Sequence, residues 1–93
     1  MRVSNMKIVE VYKNSGTSQT TGKEWQSTEL LLSNNDEMFE TRMLVRLMPK
    51  CAETFNFRKG DVVDIDILHE VREYNSRFYN QISAWRVISS LTN

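Results

Sequence analysis

Residues 49–61, "PKCAETFNFRKGD", decide the fold, because they are the one stretch that departs from strand periodicity. Pro49 is the only proline of the chain, and its missing N–H costs nothing in the first turn of a helix. "PKCAETFNF" then gives about two turns before "RKGD" reverses the chain. A single short helix is therefore expected in the middle of a sequence that otherwise reads as strands.

Working outward, "EMFETRMLVRLM" precedes the helix and alternates Phe39, Thr41, Met43, Val45 and Leu47 against Glu40, Arg42, Leu44 and Arg46. That is a strand with one basic, partly polar face. After the helix, "DVVDIDILHEV" turns Val63, Ile65 and Ile67 inward and Asp64 and Asp66 outward. "REYNSR" makes a turn centred near Asn75 and Ser76, and "EYNSRFYNQISAWRV", residues 73–87, supplies the last strand. A period of two from Arg77 puts Phe78, Asn80, Ile82, Ala84 and Ile88 on a core face, with Arg77, Tyr79, Gln81, Ser83 and Trp85 on the other. At the front, "MKIVEVYK" is a first strand, "NSGTSQTTG" a polar loop expected to be mobile on its own, and "KEWQSTELLLS" a second strand.

The order is β-β-β-α-β-β. A long first loop, a short helix between strands three and four, and a hairpin between four and five form the plan of the OB-fold, a five-stranded Greek-key barrel. An all-β, single OB-fold domain over residues 1–93 is the expectation; an open sandwich or another small barrel with the same strand count is the competitor. The helix favours the OB plan, which needs one at that point to plug the barrel end.

Composition limits the function classes. Ninety-three residues make one small domain with a modest core and no room for two lobes around a cleft. One cysteine, Cys51, and one histidine, His69, form neither an internal disulfide nor a zinc set. No glycine-rich phosphate loop, nucleophile elbow or ligand cluster is present, so an enzyme, a metal, a cofactor or a small-molecule substrate is not expected. Asp64 and Asp66 read most simply as a solvated face that guards a strand edge, although two carboxylates two apart could hold a divalent cation weakly. No apolar run has the length of a signal peptide or a membrane span, which points to a cytoplasmic protein.

Net charge is zero, from twelve basic and twelve acidic side chains. Acidity concentrates in residues 36–71, at −3, against +1 before and +2 after. Attraction to a polyanion would therefore be local and salt-screened.

"GKEWQSTELLL", "FNFRKGDVVDIDI" and above all "REYNSRFYNQISAWRV" resemble a family of small bacterial proteins of unknown function, the DUF3127-like OB-fold group. The resemblance spans residues 6–88 and is most specific in the last block. It departs from the family at Ser76, where a turn glycine is usual, and in the five residues Met1 to Asn5 before the customary start. The group is similar to single-stranded-DNA-binding proteins, which implies nucleic-acid binding by analogy.

Carried onto this chain, the usual OB ligand surface implies Lys23, Trp25, Arg42 and Arg46, then Arg72, Tyr74 and Arg77 from the last hairpin, with Tyr79 beside them. Cations for phosphates and flat rings for bases suit single-stranded DNA, or RNA, bound weakly and without sequence preference. Two competing readings stand beside this one. Arg42 and Arg46 would pair with Glu29 or Glu40 across the sheet, and Trp85 with Tyr79 would be covered in a homo-oligomer contact of a protein-interaction module that binds no nucleic acid.

Overall fold

The computed structural model describes residues 1–34 and 36–90. Its elements are β1 (Arg2–Thr17), β2 (Glu24–Ser33), β3 (Arg42–Leu47), α1 (Pro49–Thr54), β4 (Val62–Tyr74) and β5 (Arg77–Ser89). The five strands form one closed sheet in the order β1-β2-β3-β5-β4, with β4 returning to β1. All contacts are antiparallel except β3 with β5, which run parallel at Arg46–Ser83 and Leu47–Ala84. No helix among the described residues is long and apolar enough to cross a membrane.

The core follows from alternation. Leu30 and Leu32 of β2, Val45 and Leu47 of β3, and Val63, Ile65 and Ile67 of β4 all point inward and are fully or nearly fully buried. Met6 and Ile8 complete the set from β1, and Ala84 from β5. Closure needs the strands to coil, and three irregularities supply it. β1 carries an extra residue between Val3 and Met6, where Asn5 sits at φ 57, and another between Ile8 and Glu10. The third lies in β5, where Arg86 faces Asp66 but Ala84 faces Ile67, so that Trp85 is the extra residue.

That last bulge corrects the expected core face. Ile82 and Ala84 do turn inward, but beyond Trp85 the inward parity switches, so that Val87 rather than Ile88 packs on the core. Phe78 and Asn80, expected inside, are exposed, because β4 and β5 continue past the closed part of the sheet as a free hairpin with no core beneath it. Phe39 likewise lies outside β3 and in solvent.

Two further expectations change. The first four residues of the polar loop "NSGTSQTTG" are strand: Asn14–Thr17 pair with Ser27–Glu24, and residues 18–23 form the turn. Serine, threonine and asparagine gave no apolar face to read, yet a ladder needs only backbone groups. At the other end of β1, Arg2 and Val3 pair with Asp66 and Ile65, so β4 is not an edge there. Asp66 is therefore not a solvated guard: it is buried and receives two hydrogen bonds from the Arg2 guanidinium, at 2.9 and 3.0 Å. Those bonds hold the Asp66 carboxyl below the usual carboxylate range. Asp64 accepts the Asn5 N–H at 2.9 Å.

Pro49 opens α1 as expected, with its preceding residue Met48 extended. The Met48 N–H donates to the Ala84 carbonyl, which ties the helix start to β5. Cys51 is the buried residue of the helix, with Ala52 packed beside it on the core, and burial pushes the Cys51 thiol pKa up, which makes it a poor nucleophile.

Candidate functional site

Two hairpins stand out from the closed sheet and flank its outer face. One is formed by β1 and β2 beyond Tyr12 and Glu29; the other by β4 and β5 beyond His69 and Ile82. Between them the outer face of β3 is presented, because Val45 and Leu47 are committed to the core and Arg42, Leu44 and Arg46 must therefore point away from it.

The floor is set by register. Glu29 lies opposite Arg46 on one side, and Ser83 lies beside Arg46 on the other. Leu44, half exposed between the two arginines, gives the floor an apolar patch. The wall is the second hairpin, where Arg72 faces Tyr79 and Tyr74 faces Arg77, all four on one face of the ladder. The concavity so formed, of about 430 Å³, is bordered by Glu29, Leu44, Arg46, Arg72, Tyr74 and Tyr79. A second concavity adjoins it, with Gln26, Ser27 and Thr28 of the first hairpin on its far side. Arg46 and Arg72 border both, so one groove runs from hairpin to hairpin across β3.

Four of the expected residues, Arg46, Arg72, Tyr74 and Tyr79, are thus brought together. Of the other four, Lys23, Trp25 and Arg42 stand apart from the groove, and Arg77 shares the face of the wall but lies beyond the concavity. Trp25 sits high on the first hairpin opposite Gly16, so close that a side chain on Gly16 would meet the indole at 2.7 Å. Lys23 is exposed in the turn beyond it. Arg42 lies at the far end of β3 and is held at 2.7 Å by Glu40, two residues earlier in the chain, rather than by a carboxylate across the sheet. This hydrogen-bonded contact lowers the Glu40 pKa and raises that of Arg42. Arg77 is at the hairpin tip, opposite Tyr74.

Arg46 is not paired in the same way. Among the described residues it makes no ion pair within 4 Å, although Glu29 is its neighbour, whereas Arg72 lies 3.6 Å from Glu70. Two cations and two carboxylates, Glu29 and Glu70, therefore balance along the groove. Tyr74 and Tyr79 are 68% and 50% exposed, so their ring faces are open to a flat partner. Sequence reading passed over Leu44 and Gln81 as site residues; the signal was there, in their outward parity beside Arg46 and Tyr79, but neither carries a charge or a ring. No group of three or more histidine, cysteine, aspartate or glutamate side chains that would hold a metal occurs among the described residues.

Trp85 and Leu68 lie on the outside of β5 and β4, about half exposed. Alternation along β5 already points the indole outward, and the bulge leaves Arg86 exposed next to it.

Neither the curated proteins nor the solved structures contain a match to this chain. A family model does match, over residues 6–88, a span that takes in all of the closed sheet but the first residues of β1 and the last of β5, with both hairpins and every residue of the groove: the chain belongs to DUF3127, a domain of unknown function.

Proposed function

We propose that this chain is an OB-type barrel that binds single-stranded nucleic acid, DNA in the first instance, weakly and with little sequence preference. The sheet order β1-β2-β3-β5-β4, with its one helix between β3 and β4, supports the OB reading. The groove lies where that fold takes its ligands, across β3 and between the hairpins that precede β2 and β5. One observation carries the proposal: Tyr74 and Tyr79 stand beside Arg46 and Arg72 in a single open groove. Rings accept stacked bases irrespective of sequence, at about 1–3 kcal/mol per base, and guanidinium groups take phosphates. With Glu29 and Glu70 in the same groove and no net charge on the chain, binding belongs in the micromolar range, about −8 kcal/mol. A cytoplasmic location accords with this reading.

The test is a fluorescence titration with labelled oligo-dT, run against duplex of the same length. Binding is expected at low salt, with a log–log salt slope of about −2 to −3 if three or four phosphates are contacted. No binding at about 100 μM protein, or equal affinity for duplex, would overturn the proposal.

A second reading has its own observation. Glu29 on the groove floor and the half-exposed Trp85 suit a protein-interaction module that binds no nucleic acid. A negative oligonucleotide titration would favour it.

A further inference from the structure

On the side away from β5, β4 is covered by β1 only as far as Ile67. The Ile67 N–H donates to the Met1 carbonyl at 2.8 Å, and the Met1 ammonium donates to the Ile67 carbonyl at 3.1 Å. Beyond that point, among the described residues, no strand pairs with Leu68–Tyr74 on this side. The segment, "LHEVREY", contains no proline, no lysine and no bulge; its charges, Glu70, Arg72 and Glu73, are of both signs and so do not repel every strand that could pair with it.

Backbone direction alternates along a strand, so the residues in phase with Ile67, namely His69, Val71 and Glu73, present their N–H and C=O groups to the open side. We propose that a second copy of this chain occupies this edge, the two β4 strands pairing antiparallel about a two-fold axis at Val71. Val71 is the midpoint of the open segment. In this register the backbone groups of His69 meet those of Glu73 in the other copy, and Val71 meets Val71, for about six hydrogen bonds across the axis.

The side chains fit the same register. Glu70 of each copy lies opposite Arg72 of the other, His69 opposite Glu73, and Leu68 opposite Tyr74. Every polar pair is complementary and every remaining pair is apolar. The neighbouring registers of the same phase fail. A centre at Glu70 sets Glu70 against itself, and a centre at Arg72 sets two guanidinium groups together. Odd shifts turn the side chains of the two strands to opposite faces. The within-strand contact of Arg72 with Glu70 at 3.6 Å becomes part of an alternating four-membered charge row. Such an edge contact buries little area, so the dimer is one of micromolar or weaker affinity rather than an obligate assembly.

The inference does not rest on nucleic-acid binding, and it is tested with no oligonucleotide present. Sedimentation equilibrium on the full chain from about 1 to 200 μM should show a reversible monomer–dimer equilibrium. Glu70→Arg places like charges opposite one another twice and should weaken the dimer about tenfold or more. Glu70→Arg with Arg72→Glu reverses both partners and should restore it, a rescue that no change of monomer stability would produce. Val71→Pro removes an N–H that faces the open edge, not β5, and should give a folded monomer with unchanged circular dichroism. A wild-type chain monomeric throughout, a Glu70→Arg variant that associates like wild type, or a folded double variant that stays monomeric would each overturn the proposal.

Discussion

The two hairpins are built alike and finished differently. Each leaves the closed sheet as an antiparallel ladder, β1 with β2 as far as Thr17–Glu24 and β4 with β5 as far as Tyr74–Arg77. The first is closed by a six-residue turn held by its own bonds: the Ser18 N–H donates to the Lys23 carbonyl and the Gly22 N–H to the Ser18 carbonyl. Its strands carry serine, threonine, asparagine and one tryptophan folded over Gly16. The second is closed by two residues and carries Tyr74, Tyr79, Phe78, Arg72 and Arg77. Both lie beyond the core, so backbone pairing and cross-strand side-chain pairs hold them. What distinguishes them is the surface each offers, and the groove takes its rings and one of its two arginines from the second, whereas the first contributes only uncharged polar side chains, Gln26, Ser27 and Thr28.

The largest effect is expected where the hairpins share a root. Ile65 is fully buried in β4, between Val3 of β1 and Val87 of β5. Ile65→Ala should cost about 2–5 kcal/mol through lost transfer energy and a residual cavity. Urea unfolding should remain a single transition with a lowered midpoint, followed alike by tryptophan emission and by circular dichroism. Two separated transitions would mean that the hairpins are independent units, and the comparison would have to be made between domains rather than between two arms of one.

Ligand binding should divide the hairpins next. Tyr79→Ala removes a ring from the groove and should weaken oligo-dT binding by about 1–3 kcal/mol, whereas Trp25→Ala, on the first hairpin and outside the groove walls, should change it by less than about 0.5 kcal/mol. Equal losses in one titration series would place stacking on both hairpins and widen the site beyond the groove.

The same contrast explains what the sequence made legible. β3, the inward residues of β4, the start of α1 and the turn at Asn75–Ser76 were all readable, since each is marked by alternation against a core or by a residue with a restricted backbone. The outward pair Arg46 and Tyr79 followed from the same alternation. The hairpin of β4 and β5 was readable with its turn, but the reach of either hairpin beyond the core was not. Asn14–Thr17 have no apolar face, and Phe78 was assigned to a core that does not extend beneath it. Nor was the bulge at Trp85, because an inserted residue changes parity without changing composition. The Arg2–Asp66 pair joins residues 64 apart, a distance over which periodicity carries no information. Arg42 read the same as Arg46 in sequence. Only the fold shows that Glu40 holds the first and leaves the second open to the groove.

The smallest effects lie near the hairpin ends, one in a turn and one in a strand, and they should have opposite signs. Asn75 and Ser76 sit at φ 51 and 61, the left-handed values that a two-residue type I′ turn demands at both central positions. Asparagine tolerates that region well; serine does not, and for an ordinary residue the left-handed conformation costs roughly 1–2 kcal/mol. Ser76→Gly relieves the cost but gives the unfolded chain more freedom, which takes back about 0.5–1 kcal/mol. The net gain should be a few tenths of a kcal/mol to about 1, or up to about 4–8 °C in Tm for a domain of this size. In the first hairpin the glycine is already present for a different reason: the Trp25 ring occupies the space above Gly16. Gly16→Ala must push that half-exposed ring aside, which should cost about 1 kcal/mol or less and shift its emission to longer wavelength as the indole gains water. Thermal melts of the two variants beside the wild type decide the matter. A gain from Gly16→Ala would show that the indole does not need the bare backbone beneath it, and a loss from Ser76→Gly would show that the serine hydroxyl contributes more to the turn than its left-handed backbone costs.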